Sequence, residues 1–538
     1  MTVWVTKELP TRLESHFGDR VVRCFSERPA SVYAMLAEAV AHNPDGEALV
    51  CGEQRLSWQA LHDAALRAAG GLAQRGVACG DRIALLLGNN VEFVVATLAA
   101  AALGAVVVPI SIREQMPGIS YILNQCGAVA VVHDADLGER LPPGAEVPRL
   151  RLRISAGPCP GSEPFAALAG AAPLARPARV AEEDVAAILY TSGTTGRPKG
   201  AMLTHLNIVH SCLHYEIVMA LGPADRGAAV VPLSHVTGLV ALLMVAVRIT
   251  GTLLVVPGFK ARDFLQLAER ERMTFTVMVP AMYNLCLLQE DFAQRNLSAW
   301  RVGAYGGAPM PTATIDALAA KLPNLVLMNA YGATETTSPA TIMPPGQTSA
   351  HGDSVGRTVT CGHIVVVDEA GRELPRGETG EIWIGGPMVV KGYWDNPAAT
   401  AENFTGGYWH SGDIGSMDRD GYLYVFDRRK DMLNRGGYKI YSVEVENVLC
   451  QHPAVLEAAV VGKPCPVLGE RVHVFVTTKE GMSVTADELI AFCSERLSDY
   501  KVPESFTLGT APLPRNANGK LLKRELRDRL LASLQGQP

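Results

Sequence analysis

Short apolar runs alternate with longer segments of helical periodicity between about residues 184 and 328. The apolar runs read VAAILY, AAVVP, GTLLVVP, FTVMVP and WRVGAYGG, and the helical segments include HLNIVHSCLHYEIVMA, DFLQLAERERM and PTATIDALAAKL. Strands that alternate with helices form a mainly parallel sheet whose faces the helices cover. The pattern therefore predicts an α/β fold, and the same alternation over residues 50–135 predicts a second sheet of this type.

The stretch Phe93–Ile112 has the length of a membrane span, with twenty residues and no charge. Its first half is rich in alanine, Gly104 interrupts it, and AVVVPI follows with the pattern of a buried strand. Glu92 and Arg113 flank it directly. We therefore predict a buried helix followed by a buried strand, and no transmembrane segment.

Shorter segments of β character, separated by turns, begin at about Cys361. They read HIVVVDEAGREL, TGEIWIGG and DGYLYVF, and they predict a small antiparallel unit, similar to a barrel, that closes the large domain. The charged run DRRKD, Asp427–Asp431, marks a boundary, since the residues beyond it have the mixed pattern and the length of a small α+β domain. The predicted organisation is an N-terminal extension of residues 1–30, a large domain of residues 31–427, and a small C-terminal domain of residues 431–538 joined to it by residues 428–430.

Composition limits the functions that the chain can have. Hydrophobic residues make up 48% and charged residues 19% of the 538 positions, as in an ordinary globular protein. The net charge of −6 gives no reason to expect nucleic acid as a partner. The N-terminus lacks the apolar segment of a signal peptide, and the eleven cysteines show no pairing or metal-binding spacing. We therefore expect a cytoplasmic protein with reduced thiols.

The segment TSGTTGRPKG, Thr191–Gly200, contains no residue that could pack a hydrophobic core. Glycines let backbone N–H groups turn inward, hydroxyl groups add donors and Lys199 adds a positive charge, so the loop can bind phosphate oxygens. It follows the strand VAAILY, and we expect a helix to begin near Leu203, directly after it. The loop differs from the Walker pattern, because Pro198 precedes Lys199 and no Ser or Thr follows. A flexible surface linker is the alternative explanation.

Six motifs follow one another along the chain. They are TSGTTGRPKG, YGGAPM (Tyr305–Met310), YGATE (Tyr331–Glu335), HSGD (His410–Asp413), DRRKDMLNRGGYKIYSVEVE (Asp427–Glu446) and PLPRNANGK (Pro512–Lys520). Together they resemble the signature of the adenylate-forming superfamily, which includes acyl-CoA synthetases, peptide-synthetase adenylation domains and beetle luciferases. Most of the chain after about residue 30 is similar to the acyl-CoA synthetase branch. The resemblance implies a large domain with two mainly parallel sheets and a small, mobile C-terminal domain.

The resemblance also implies a reaction in two steps that uses ATP, Mg²⁺ and coenzyme A. A carboxylate attacks the α-phosphorus of ATP to give an acyl-adenylate and pyrophosphate, and a thiol then displaces AMP. Negative charge accumulates on the phosphates in the first transition state, so the site needs cations and hydrogen-bond donors.

Each motif supplies one part of this reaction, as the resemblance implies. The residues for the β- and γ-phosphates are Thr191, Ser192, Gly193, Thr194, Thr195 and Lys199. Those for adenine and ribose are Gly306, Gly307, Ala308, Tyr331, Asp413 and Arg428. Glu335 would bind Mg²⁺, Thr334 would bond the α-phosphate, and Lys520 would reach the α-phosphate and the substrate carboxylate. Simpler explanations are an exposed helix cap for Glu335, a core position for Tyr331 and a solvated surface charge for Arg428.

The second step needs the thiol in the place that Lys520 occupies during the first, and in this family the small domain rotates about a hinge. Lys430 matches the hinge position. Gly436 and Gly437 match the residues that line the tunnel for the pantetheine arm, although a simple β-turn also explains them. The family resemblance further suggests a homodimer.

The segments expected to wall the acyl pocket are LSHVTGLVALLMVAV, GAYGGAPM and MNAYGATETTSPATIM. Their only formal charge is that of Glu335, so neither an ammonium group nor a second carboxylate would find a counter-charge there. Amino-acid-activating relatives carry an aspartate near SHVTG, which this chain lacks. The predicted substrate is therefore an apolar monocarboxylic acid, fatty, alicyclic or aromatic. His235 resembles a pocket histidine that orients the acyl group, and a hydrogen-bonded core histidine is an equally good explanation.

Three other functions remain open. The acyl group could pass to the phosphopantetheine of a carrier protein, the chain could be a luciferase-type oxygenase, or it could be an inactive scaffold that binds nucleotides. No carrier domain or additional insertion is recognisable, which favours coenzyme A as the acceptor. The presence of Lys520, Glu335 and Asp413 argues against the scaffold.

Overall fold

The predicted alternation of strands and helices is confirmed in a computed structural model, which describes residues 9–191, 197–308, 310–436, 438–515 and 521–535. Sheet A has seven strands, in the spatial order Lys199–Thr204, Val185–Thr191, Val106–Pro109, Arg82–Leu86, Ala130–Asp134, Leu152–Ala156 and Glu163–Pro164. Its neighbours pair in parallel, except that Lys199–Thr204 is antiparallel to Val185–Thr191.

Sheet B contains four of the five strands predicted as one sheet between residues 184 and 328, whereas the fifth, VAAILY, pairs instead in sheet A with strands of the region 50–135. The nine strands of sheet B are, in spatial order, Arg357–Thr358, Thr341–Ile342, Val326–Tyr331, Val302–Tyr305, Phe275–Met278, Arg226–Ala229, Thr252–Val255, Glu47–Cys51 and Gln54–Ser57. The strands from Val326–Tyr331 to Glu47–Cys51 are all parallel, and antiparallel strands extend both ends. The predicted α/β class is therefore correct.

Helices connect these strands. The α-helices are Val32–His42, Trp58–Gln74, Val91–Leu103, Met116–Cys126, Ala166–Ala169, His205–Val218, Val245–Ile249, Ala261–Arg270, Pro280–Leu287, Thr312–Lys321, Pro397–Asn403, Ser442–Leu449, Ala486–Ser494 and Lys523–Gln535. Short 3₁₀ turns are Ala135–Arg140, Gly144–Glu146, Phe292–Gln294, Thr334–Thr336 and Asp499–Lys501, and Thr237–Met244 is a π-helix.

The uncharged stretch around Gly104 forms the predicted buried helix and strand. The side chain of Asn90 caps the helix Val91–Leu103 by accepting from the Phe93 N–H, and Gly104 ends it at a φ of 71° that favours glycine. The strand Val106–Pro109 follows and is buried throughout. Among the described residues, no helix combines the length and the apolar character that crossing a membrane requires.

The segment TSGTTGRPKG, which we call the phosphate loop after its predicted role, joins two strands of sheet A. Thr191 pairs with Lys199 across the antiparallel ladder, and the helix begins only at His205, where Thr204 and Asn207 form a capping box. The helix therefore begins two residues beyond the predicted start near Leu203, because KGAMLT first extends the sheet. Gly200 permits this pairing, since a Cβ there would lie 2.7 Å from a methyl group of Ile188.

The chain divides into two compact units. Unit 1 contains Met1–Ile364, Trp383–His410 and Asp420–Leu423, and unit 2 contains Val365–Ile382, Ser411–Arg419 and Tyr424–Pro538. Residues for which the sequence predicts no element form the antiparallel N-terminal hairpin of unit 1, Thr11–His16 and Arg20–Phe25. The predicted boundaries at residues 30, 427 and 431 stay predictions.

Two smaller sheets complete the fold. Sheet C has the order His363–Val367, Gly380–Gly385, Tyr408–Met417 and Phe404–Thr405, and Leu423–Arg428 also pairs with Tyr408–Met417. Sheet D, in unit 2, has the order Tyr438–Ile440, Leu433–Arg435, Gly469–Thr478 and Val455–Cys465, and Ser505–Gly509 also pairs with Gly469–Thr478. Unit 2 has its own core, in which valines of sheet D pack with Leu449 and Leu489 of its helices.

Candidate active site

Two of the predicted motifs and the predicted pocket segment with His235 lie at one edge of sheet B, because they follow parallel strands. YGGAPM begins at the end of Val302–Tyr305, and YGATE begins at the end of the neighbouring parallel strand Val326–Tyr331. The segment with His235 follows Arg226–Ala229, which runs parallel to Phe275–Met278 in the same sheet. Ligands bind outside the carboxyl ends of such strands, so this carboxyl edge is the candidate site.

Glu335 lies at the carboxyl edge in the helical turn Thr334–Thr336, with 7% of its surface exposed. Thr191 Oγ1 donates a hydrogen bond of 3.3 Å and the Tyr393 hydroxyl donates one of 3.0 Å, both to Oε1. Within the described residues, no hydrogen bond reaches Oε2. A carboxylate with one oxygen held and the other available fits a hard cation such as Mg²⁺. Its burial contradicts the alternative of an exposed helix cap.

Thr191 and Lys199 flank the phosphate loop and face each other in sheet A. Lys199 is buried, and its Nζ lies 5.3 Å from the centroid of the Tyr393 ring, within the range of a cation–π contact. The structure therefore brings Thr191, Lys199 and Glu335 together around one tyrosine. A positive charge beside a buried carboxylate is suited to a triphosphate bound with its metal ion.

Tyr393 is the residue of this cluster that sequence reasoning missed. Burial and the neighbouring Glu335 carboxylate both raise the pKa of its hydroxyl, so that it stays protonated and donates. It lies in KGYWD, which shows no polar pattern of a site, and it donates to a carboxylate 58 residues away. The aromatic residue after a glycine was the only local signal.

Tyr393 belongs to the strap, which we define as residues 387–394. The Val390 N–H donates to the Glu335 carbonyl oxygen at 2.9 Å. Further along, the Trp394 N–H donates to the Gly200 carbonyl at 2.7 Å, and the Met202 N–H donates to the Gly392 carbonyl at 3.1 Å. The strap therefore runs beside the strand that leaves the phosphate loop and also contacts Glu335.

The residues predicted for adenine lie where backbones approach closely. A Cβ at Gly306 would lie 2.4 Å from the Ala330 carbonyl oxygen, so a side chain there would push the two strand ends apart. Gly307 has a φ of +77°, which favours glycine, and Ala308 is exposed. Tyr331 is half-buried at the end of its strand, and so does not occupy the fully buried core position of the alternative explanation.

His235 lies at the same edge, and no hydrogen bond between described residues joins it to Glu335 or Thr191. Its Nδ1 accepts from the Thr237 N–H at 3.4 Å, which leaves the proton of the neutral ring on Nε2. Burial lowers the pKa of His235, so the ring is neutral at neutral pH. The π-helix Thr237–Met244 follows, and Gly238–Met244 are all buried and uncharged. Such π turns occur often at functional sites.

The residues predicted for ribose are close together in unit 2. Arg428 Nε lies 3.6 Å from Oδ1 of Asp413, whose side chain is 10% exposed, while the Arg428 side chain is 45% exposed. Lys430 is exposed after the strand Leu423–Arg428. Gly436 has a φ of +60° in the turn between Leu433–Arg435 and Tyr438–Ile440, as the β-turn explanation requires.

Six of the predicted site residues lie outside the described part of the chain. They are Ser192, Gly193, Thr194, Thr195, Gly437 and Lys520. Their assignments stay predictions.

Family models and individual proteins match almost the whole chain. Residues 36–394 match the model of the AMP-binding enzyme, and residues 444–520 match its C-terminal domain. A feruloyl-CoA synthase from Amycolatopsis sp is 34% identical, over 90% of this chain and 96% of that protein. The long-chain-fatty-acid–CoA ligase FadD13 from Mycobacterium tuberculosis is 34% identical, over 89% and 94%. The structure of o-succinylbenzoate coenzyme A synthetase from Bacillus subtilis, in complex with ATP and magnesium ion, superimposes with a TM-score of 0.82 at 30% identity, over 92% of this chain and 99% of that one.

Proposed function

The chain belongs to the family of AMP-binding enzymes and is a ligase of the CoA synthetase type, and on this premise we propose that it activates an apolar monocarboxylic acid. The acid attacks the α-phosphorus of ATP, which releases pyrophosphate and leaves the acyl-adenylate. The thiol of coenzyme A then attacks the acyl carbon, so that the thioester forms, AMP leaves and the thiol proton is released. The observation that carries the proposal is the cluster that Thr191 and Lys199 of sheet A form with Glu335 at the carboxyl edge of sheet B.

The charges of this cluster suit the first step. When bound, Mg²⁺ would neutralise developing charge on the phosphate oxygens, and Oε2 of Glu335 is the ligand that the chain offers. Lys199 supplies a second positive charge, and Thr191 holds the carboxylate. We assign Thr334, in the same turn as Glu335, to the α-phosphate.

The remaining nucleotide contacts are assigned from the motifs. Gly306 and Gly307 leave room for the adenine edge, and the ring of Tyr331 offers a flat surface. Asp413 is a bidentate acceptor for the ribose hydroxyl groups, and Arg428 beside it is a second contact. Each of these roles is a proposal that a single substitution can test.

We assign the division between the two steps to Lys520 and Lys430. Lys520 would stabilise the adenylation transition state. Rotation about Lys430 would then bring the tunnel for the pantetheine arm, with Gly436 and Gly437, into place for the second step. Replacing Lys520 with alanine should abolish adenylation and spare thioester formation from supplied acyl-adenylate. Equal loss of both steps would reject this division.

The proposed class of acid follows from the lack of counter-charges in the segments that we assign to the acyl pocket. Beyond Glu335, the segments that we assign to the acyl pocket carry no formal charge. The next cation in sequence after the π-helix, Arg248, already pairs with Glu216 at 2.9 Å and with Glu38 at 3.3 Å. It is therefore not available to a second carboxylate. The neutral His235 and the π-helix behind it then leave an apolar fatty, alicyclic or aromatic chain as the best match.

A panel of carboxylic acids, assayed for AMP release that depends on coenzyme A, tests this proposal. Aliphatic and aryl monocarboxylic acids should support AMP formation, whereas amino acids and dicarboxylates should not. The same panel with a carrier protein in place of coenzyme A separates the two acceptors. AMP release with the carrier protein alone would replace the proposed acceptor, and preference for an amino acid would overturn the proposed substrate.

A further inference from the structure

We propose that the strap positions the catalytic carboxylate, with Tyr393 as the positioning residue at Glu335 and Arg20 as the anchor that holds the strap. The inference rests on the proposed function, because it assigns to Glu335 the role of binding Mg²⁺ with ATP. It gives the N-terminal hairpin, which lies outside all of the motifs, a part in that role.

Tyr393 controls which carboxylate oxygen faces the ligand. Its hydroxyl and that of Thr191 both donate to Oε1, at 3.0 Å and 3.3 Å, so the carboxylate is held by one oxygen, and no described residue bonds Oε2. The ring of Tyr393 packs against Phe404 at 5.7 Å between centroids, and the ammonium group of Lys199 lies 5.3 Å from the centroid of the Tyr393 ring. Loss of a hydrogen bond that orients a metal ligand typically costs about 10- to 100-fold in metal affinity.

The backbone of the strap also holds Glu335, through its main chain. The Val390 N–H donates to the carbonyl of Glu335 at 2.9 Å, three residues before Tyr393 reaches its side chain. Both the main chain and the side chain of Glu335 therefore depend on where the strap lies. Asn207 holds the strap from the helix side, since its Nδ2 donates to the Pro387 carbonyl at 2.7 Å and to the Val389 carbonyl at 3.2 Å.

Arg20 holds the strap from the other side. Its guanidinium donates to the carbonyl oxygens of Val390 at 3.0 Å, Lys391 at 3.2 Å and Val389 at 3.4 Å. The side chain is buried, with 8% of the residue exposed, and it lies over the ring of Phe404 at 5.8 Å. Only a guanidinium has the fork of donors needed to reach adjacent carbonyls in this way.

Charged side chains connect the hairpin that carries Arg20 to the rest of unit 1. Arg28 pairs with Glu14 of the hairpin and with Glu182, each at 2.7 Å, and His16 of the hairpin lies 2.9 Å from Glu183. Lys391 of the strap donates to the Glu183 carbonyl at 3.2 Å. A continuous set of contacts therefore runs from the hairpin through the strap to Glu335.

Binding of a non-hydrolysable ATP analogue, measured by calorimetry with and without Mg²⁺, tests the role of Tyr393. In Tyr393→Phe we expect the gain in affinity from Mg²⁺ to fall roughly tenfold, while affinity without Mg²⁺ and the thermal midpoint stay near those of the wild type. The matched control is Tyr33→Phe, which removes a tyrosine hydroxyl that bonds His62 at 3.1 Å. It should leave the gain from Mg²⁺ unchanged. An unchanged gain in Tyr393→Phe would overturn the inference.

A double-mutant cycle tests the role of Arg20. Arg20→Met should also reduce the gain from Mg²⁺, Arg20→Lys should restore part of it, and adding Tyr393→Phe to Arg20→Met should reduce it little further, because both changes release the same carboxylate. Arg23→Gln, on an exposed position of the same hairpin, is the control and should have no effect. Fully additive effects would show that Arg20 acts independently of Tyr393 and would reject the anchor.

The possible failures can be told apart. If the wild type gains no affinity from Mg²⁺, the proposed function itself is wrong. If the wild type gains affinity and Tyr393→Phe gains equally, the proposed function stands and the positioning role is wrong. If Arg20→Met does not fold, Arg20→Lys and Tyr393→Phe still complete the test.

Discussion

The two edges of sheet B carry opposite kinds of charge arrangement. At the amino edge, the residues that begin the parallel strands pair with one another: Asp225 accepts from Arg301 at 2.6 Å and from Thr274 at 2.7 Å. Glu271, whose side chain is 4% exposed, pairs with Arg55 at 2.8 Å and Arg226 at 2.9 Å. Acids and bases there satisfy each other inside the protein.

At the carboxyl edge the polar groups are not matched in this way. Glu335 has one oxygen held and one without a hydrogen bond from any described residue, and the ammonium group of Lys199 lies over an aromatic ring. Gly306 has no side chain that would occupy the space beside the Ala330 carbonyl oxygen. Sheet B therefore uses its amino edge for stability, whereas Glu335 at its carboxyl edge, together with Lys199 of the neighbouring strand of sheet A, is available for a ligand.

The largest effect that would separate the two edges is expected from Glu335→Gln. The glutamine oxygen can still accept from Thr191 and Tyr393, so only the charge and the metal ligand are lost. We expect acid-dependent pyrophosphate exchange to fall roughly 10²- to 10³-fold, with a change of less than about 1 kcal/mol in the free energy of unfolding. A destabilised protein that retains its activity would assign Glu335 to structure instead.

The reverse result is expected from Glu271→Gln at the amino edge. Removing the buried carboxylate takes one of two acidic partners from Arg226, which also pairs with Glu47 at 2.7 Å. We expect the free energy of unfolding to fall by about 2 kcal/mol, less than for a fully buried pair, because Arg226 keeps Glu47 and Arg55 is half-exposed. Denaturant titration measures the loss. The kcat/KM at a temperature where the variant is folded should match the wild type, and a large drop would mean that the two edges are coupled.

As the pH falls, the helix that supports the carboxyl edge should lose its contribution to the free energy of unfolding before the amino edge does. His205, His210 and His214 are buried in the helix that carries Asn207, and burial lowers the pKa of His205 to about 4 and of His210 to about 3, with that of His214 also lowered. Between these values and the unfolded pKa of about 6.5, the unfolded chain binds more protons. The free energy of unfolding therefore falls as the pH drops below about 6.5, by up to about 1.4 kcal/mol per pH unit for each histidine.

The amino edge responds only at lower pH. Burial raises the pKa of Glu271, but hydrogen bonds from Arg55 and Arg270 outweigh burial and lower it overall. Its contribution is therefore lost only below about pH 4.3, the value for an unfolded glutamate. In His210→Gln, which can keep the bonds to Phe25 and Leu206, the loss of stability between pH 6.5 and 4.3 should be shallower by about 1.4 kcal/mol per pH unit. The exposed His42→Gln is the control, and an unchanged slope in His210→Gln would contradict the account.

The smallest effect is expected from Arg55→Gln. This arginine contacts Glu271, but its side chain is 48% exposed, so solvent screens the pair. Arg226 also remains in place, and we expect a loss of only about 0.5 kcal/mol. A loss as large as that of Glu271→Gln would show that the amino-edge network acts as one unit.

The sequence predicts most of the fold because its strands are buried on both faces. The run GTLLVVP contains the strand Thr252–Val255 of sheet B. It can be predicted as a strand without knowledge of its neighbours in the sheet, because continuous apolar segments bounded by glycine and proline are characteristic of parallel strands. Thr191, Lys199 and Glu335 were predicted from their motifs, and the structure brings them together. The strand Lys199–Thr204, which leads into the helix, was not predicted, because its pairing partner lies before the loop in the sequence.

The strap and its anchor could not be predicted, because their contacts are distant in sequence. Arg20 donates to Val390 across 370 residues, and Asn207 donates to Pro387 across 180. A lone arginine in a short hairpin carries no local sign of its partner. The acyl side is also hard to predict, since its π-helix is uniformly apolar and the shape of a pocket depends on packing rather than on any single residue type.

Acid-dependent exchange of labelled pyrophosphate into ATP, by the purified protein with Mg²⁺, tests the proposed adenylation without relying on the second step. We expect exchange with aliphatic or aryl monocarboxylic acids, no exchange when Mg²⁺ is chelated, and its near-complete loss in Glu335→Gln. Absence of exchange with every acid of this class, or full exchange in Glu335→Gln, would contradict the assignment of the carboxyl edge to the nucleotide.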